Sequence, residues 1–185
     1  MTHRVAVAFA CLALAGCGQA PQSSGGQRQS PNPTTDAMQL ATPAPQFAAR
    51  AAMFENYQIQ AAQIAQQSAQ SQAAKTFAAA SLAEHQATLQ QLNGAVQAAG
   101  MPLPSGALDE NYNAYLDMLR HADTPNFDAI YASQQALSSI SASGLYDSFT
   151  STAPDSPLKQ WAQSQSQHVH DGVTAARTLA RNIRG

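Results

Sequence analysis

From Gln46 onward, apolar residues recur at intervals of three and four, and proline or glycine breaks that rhythm in only a few places. A 3.6-residue period builds helices with one buried stripe, whereas strands need a period of two. The spacing predicts a first helix over 46–70, in which Phe47, Phe54 and Ala61 repeat every seven and Ala51, Ile64 and Ala65 fill the same face. A second helix is expected over 72–99, with Leu82, His85, Leu89, Leu92, Val96 and Ala99 on its stripe. Gly100 suits the position just past a helix C-terminus, and Pro102 and Pro104 prevent continuation. A short amphipathic helix follows, with Leu108, Tyr112, Tyr115 and Leu119 on one side.

The third long helix should open with Thr124 as its cap and Pro125 at its first position. It carries Phe127, Ile130, Tyr131, Leu137, Ile140, Leu145 and Phe149, and Pro154 closes it. The fourth opens at Ser156 and Pro157 with a stripe of Leu158, Trp161, Gln165, His168, Gly172, Ala175 and Leu179. Arg177, Arg181 and Arg184 lie in its last turns, where cations complement the helix dipole. Helices of about 24–28 residues are roughly 36–42 Å long. The economical fold is all-α: an antiparallel four-helix bundle, with a short extra helix lengthening the connection between helices two and three. Alanine-rich faces let helices approach closely. They also leave few large side chains in the core, so modest stability is expected.

Charge narrows the function classes. Only 11% of residues are charged and the net charge is −2, against about 25% charged in an average soluble domain. Nucleic acid is not expected as a partner. The helices carry Gln where Glu and Lys are usual: Gln58, Gln60, Gln63, Gln66, Gln67, Gln70, Gln86, Gln90 and Gln91. Glutamine favours helices but does not titrate, which predicts a fold that tolerates acid.

The amino terminus reads as an address. Thr2, His3 and Arg4 precede an apolar run from Val5 to Leu14, followed by small residues. That is the layout of an export signal, too short to span a bilayer. Leu14-Ala15-Gly16-Cys17 resembles the lipobox of bacterial lipoproteins, in which the cysteine receives lipid and becomes the first residue. The resemblance implies a signal peptide over 1–16, lipidated Cys17, and anchoring by several acyl chains. Gly18, in place of Asp, implies the outer membrane of a Gram-negative cell. Cys11 would leave with the signal, so the mature chain has no disulfide. Residues 17–45, rich in Ser, Gly and Pro, are expected to form a disordered linker. Its reach is roughly 30 Å, so the domain at 46–184 would face the periplasm.

Four short motifs add a second resemblance. These are Phe77-Ala78 followed by Glu84-His85, Gly100-Met101-Pro102-Leu103-Pro104, Phe127-Asp128-Ala129-Ile130-Tyr131, and Leu158-Lys159-Gln160-Trp161 followed by His168. Over about 47–182 the chain resembles a bacterial envelope family of ferritin-like bundles, labelled a domain of unknown function and described as predicted outer-membrane proteins. The resemblance implies a ferritin-like fold and an exported location, without a settled activity. In that family pattern an acid–His pair in helix three echoes Glu84-His85. Here Ser138-Ser139 occupy the matching positions. Ferritin-like metal sites use roughly four carboxylates and two histidines, including Glu-x-x-His on two helices; this chain contains no Glu-x-x-His.

The candidate site residues are Glu55, Glu84, His85, Asp128 and His168. As a buried polar layer they would satisfy one another and set helix register, since a neutral imidazole both donates and accepts. This is the expected role. The sharper reading is a mononuclear Fe or Zn site from Glu55, His85 and His168 with Asp128. Haem ranks third, with His85 and His168 as the axial pair. His168 and His170 point about 200° apart on a helix and cannot share an ion. His121 and His170 are expected in solvent, Asp109, Glu110 and Asp117 on an acidic surface, and Tyr112, Tyr115, Tyr131 and Tyr146 in packing roles. No serine has a recognisable His and acid setting. The expected function is a non-catalytic envelope lipoprotein that docks a protein or cell-wall partner; the alternative is a metal-binding or oxidative module with Fe or Zn.

Overall fold

The structure is a computed structural model that describes residues 42–184. The signal, Cys17 and most of the linker lie outside the described residues. Five helices follow one another: α1 (Ala44–Ser68), α2 (Gln72–Ala98), α3 (Glu110–Arg120), α4 (Phe127–Thr152) and α5 (Pro157–Arg184). Among the described residues there is no strand, and no helix is long and apolar enough to cross a membrane.

The helix ends follow local chemistry. α1 begins two residues before the expected boundary, because Pro45 sits in its first turn, where a missing N–H costs nothing. Pro45 is therefore helix, not linker. Ser71 caps α2 by accepting a hydrogen bond from Ala74 N at 3.1 Å. At the far end of α2, Gly100 takes φ 70°. Its N–H donates to Gln97 O, and Met101 N donates to Val96 O, the two bonds of a Schellman closure.

The connection to α3 lies against α1, with Asn56 Nδ2 donating to Gly106 O at 3.0 Å. Gly106 has φ 62°, and a Cβ there would collide with the Asn56 side-chain amide. α4 departs from expectation at its start. Thr124 and Pro125 form a turn rather than the first helical residues, and Asp123 O accepts from both Asn126 N and Phe127 N. α5 starts as predicted, with Ser156 Oγ accepting from Lys159 N.

α1 packs on α2 and α4; α5 packs on α2 and α4; α3 lies over α1 and α4. Two apolar clusters result. One joins Tyr57, Ala61, Leu116, Leu119, Phe127, Tyr131 and Leu179. The other joins Phe47, Leu92, Val96, Tyr146, Phe149 and Leu158. In the second, Phe47 stacks on Phe149 at 3.9 Å and meets Tyr146 edge-on at 5.1 Å. Between the clusters along α1, α2 and α4 come Glu55, Gln58, Ser81, Thr88, Gln135, Ser138 and Ser139, all buried.

Two expected stripes are rotated. In α4 the buried residues are Phe127, Tyr131, Gln134, Gln135, Ser138, Ala142, Tyr146 and Phe149. Leu137 and Ile140 are exposed. The inward face follows small and polar residues in phase with Phe127, so large apolar side chains outside that phase point outward. In α5 the buried stripe is Leu158, Ala162, Val173, Ala176 and Leu179. His168 stands at its edge, 46% exposed, rather than inside the bundle.

Candidate functional site: a polar cavity between α1, α2, α4 and α5

α1 touches three other helices, so nearly every side of it is covered. Glu55 and Gln58 fall in phase with Ala51, Ala62 and Ala65, and are carried inward with them; each is 1% exposed. Gln58 is thus a core residue, not one of the surface glutamines. A carboxylate at such depth needs a partner. Glu55 Oε2 lies 2.6 Å from His85 Nδ1 of α2. The His85 side chain is 13% exposed, and the Phe54 ring meets its imidazole edge-on at 5.4 Å.

Burial pushes the Glu55 carboxyl above its ordinary value of 4.5; the His85 contact offsets part of that rise. The contact with Glu55 occupies His85 Nδ1. One helical step away, Glu84 Oε1 receives His168 Nε2 at 2.7 Å, with both side chains more than one-third exposed.

Both pairs line one cavity of about 140 Å³. α1 adds Gln58 and Phe54, α2 adds Phe77, Ser81 and Thr88, α4 adds Ser139, and α5 adds Val169, Gly172 and Ala175. The Gln58 Oε1 and Ser81 Oγ atoms are buried without a hydrogen-bond partner. Thr88 is satisfied by donating to Glu84 O. Ser139 lies where the sequence resemblance expected half of an acid–His pair.

Asp128 is apart from this site. It begins α4 roughly 16 Å of helical rise from Ser139, and its carboxylate accepts from Gln70 N at 2.9 Å and Ser71 N at 2.7 Å. Burial opposes its ionisation, but those bonds, the Ser71 hydroxyl and nearby Lys75 together hold its carboxyl below the ordinary 3.8. Asp128 is a clamp on the α1–α2 turn. Of the five predicted residues, four surround one cavity and one does not. Among the described residues, no three His, Cys, Asp or Glu side chains converge in a way that could hold a metal ion.

A second polar group adjoins the first cluster. The Tyr57 hydroxyl donates to Gln134 Oε1, and Gln134 Nε2 donates to Tyr115 O. Burial pushes the phenols of Tyr57 and Tyr131 well up. Burial and Asp109 push Tyr112 up to about 12. These tyrosines therefore stay neutral and act by packing and hydrogen bonding. His170 is exposed and lies 3.0 Å from Asp147. Asp109, besides being exposed, caps α3 by accepting from Tyr112 N.

Residues 29–179 match the family model described as a domain of unknown function, DUF4142. The chain belongs to the DUF4142 family. No curated protein and no solved structure matches it. The DUF4142 region takes in the whole cavity and all five candidate residues.

Proposed function

We propose that this DUF4142 chain is an outer-membrane lipoprotein that holds a ferritin-like, antiparallel four-helix bundle in the periplasm as a non-catalytic interaction module. Leu14-Ala15-Gly16-Cys17, directly after the apolar run Val5–Leu14, carries the reading. Cys17 takes the lipid, the linker up to residue 43 tethers the domain to the membrane, and the surface of the bundle docks a protein or cell-wall partner. The antiparallel arrangement is supported by the order of the two apolar clusters. α1 runs from the Phe47 cluster to the Tyr57 cluster, α2 runs back, α4 runs the same way as α2, and α5 returns. That order needs one long crossover between α2 and α4, which α3 helps to supply; a single crossover is the ferritin-like connection.

The test is membrane fractionation of the full chain and its Cys17→Ala variant. The parent should pellet with outer membranes, and the variant should be released to the soluble fraction. A variant that still pellets contradicts the reading.

The second reading is a metal-binding or oxidative module. It is favoured by one observation, the gathering of Glu55, Glu84, His85 and His168 around a single cavity. The donor set does not fit a ferritin-like iron centre: each histidine is paired with its own carboxylate, and Ser138-Ser139 stand where further ligands are needed. Metal analysis of the purified parent beside His85→Ala and His168→Ala separates the readings. Stoichiometric metal, lost in both folded variants, favours the second; a metal-free parent rejects it.

A further inference from the structure

We propose that the cavity around Glu55 and His85 binds a small organic cation of the primary alkylammonium class. This goes beyond the tethering role and does not depend on the anchor. Three observations lead to it. The first is an acceptor surplus. The carboxylates of Glu55 and Glu84 and the amide oxygen of Gln58 face the space against a single free hydroxyl, that of Ser81, and Gln58 Oε1 and Ser81 Oγ are both buried there without a partner. A buried acceptor left unmet is costly, and the group that relieves it must donate. An ammonium head donates three times and brings the charge that balances a carboxylate.

The second observation is the aromatic wall. Phe54 and Phe77 both line the space, and a ring face attracts a cation at close range. The third is size. A cavity of about 140 Å³ is close to the engineered cavity of roughly 150 Å³ that admits benzene, so the ligand has about half a dozen heavy atoms. Its alkyl end rests on Val169 and Ala175, and the half-exposed Glu84–His168 pair marks the entrance. An anion of equal size meets two carboxylates. A neutral alcohol brings no charge to either.

Calorimetric titration of the full chain with n-butylammonium chloride tests this, with sodium butyrate, 1-butanol and zinc chloride as parallel titrants. The expected result is saturable one-to-one binding of butylammonium, with neither butyrate nor 1-butanol saturating. Glu55→Gln should weaken binding by at least about tenfold. Because that change touches a buried pair, Gly172→Phe provides a variant that leaves every polar group in place. A Cβ on Gly172 meets nothing within 4 Å, so the ring fills the cavity while the helix keeps its circular dichroism, and binding should be lost. The proposal is overturned if butylammonium does not saturate, if butyrate or butanol binds equally well, if zinc saturates the site in its place, or if both folded variants retain the parent affinity.

Discussion

The residue that governs this molecule is Glu55. Its burial is forced by position on α1, and among the described residues His85 is the one ionisable group within hydrogen-bonding reach of it. Removing the hydrogen-bond partner of a buried carboxyl leaves that group unmet, at a cost of about 1–3 kcal/mol. His85→Ala should therefore lower stability by that order in urea unfolding, and Glu55→Gln, which keeps an acceptor and sheds the charge, by distinctly less. The linkage has a definite sign. The folded-state pKa of Glu55 is raised above 4.5, so its contribution is fully present below 4.5 and is lost as pH rises through the folded value. Parent and Glu55→Gln should diverge across that upward window, the parent losing stability more steeply; parallel pH profiles contradict this. The pair was partly legible in the sequence. His85 stood on a clear apolar stripe, and Glu55 is in phase with Ala51, Ala62 and Ala65. Gln58 shares that phase, but its neighbours on α1 are surface glutamines of the same type, and nothing in composition separates a buried glutamine from an exposed one.

At the scale of elements, helix existence was readable and helix rotation was not. Proline, glycine and the 3.6 period located all five helices to within a few residues. The phase of α4 held at Phe127, Tyr131 and Phe149 and failed between them, where the inward residues are Gln134, Gln135, Ser138 and Ala142, while Leu137 and Ile140 face out. Hydrophobic phase is informative only when the core is apolar, and here α4 presents small and polar groups to Glu55 and Tyr57. A separate shift of the α5 stripe moved His168 from the interior to the rim. Asp128 shows the converse: a residue singled out for chemistry is used for architecture. Asp128→Ala removes the acceptor of two backbone N–H groups and should cost about 1–3 kcal/mol. Its depressed pKa places its contribution above 3.8, to be lost as pH falls through the lower folded value. A stability change that is equal above and below that range contradicts the clamp. Gly144 lies inside α4, and a Cβ added there meets nothing within 4 Å, so Gly144→Ala should raise stability by about 0.5–1 kcal/mol in thermal unfolding; a decrease contradicts the placement.

For the whole molecule, sparse charge becomes a property. With 11 acidic residues in 185, few groups titrate as pH falls. Glu55 is relieved rather than strained by protonation, and Asp128 stays ionised below its ordinary value. Helical circular dichroism should hold between about pH 6 and pH 4, and a sharp loss in that interval contradicts the expectation. Such tolerance suits a domain exposed to an outer compartment, which returns the question to Cys17. The measurement that bears on it most directly is mass spectrometry of the native amino terminus. The account predicts a chain that begins at Cys17 and carries diacylglycerol and fatty-acyl mass on that residue. A free thiol at Cys17, or a mature chain that begins elsewhere, contradicts it.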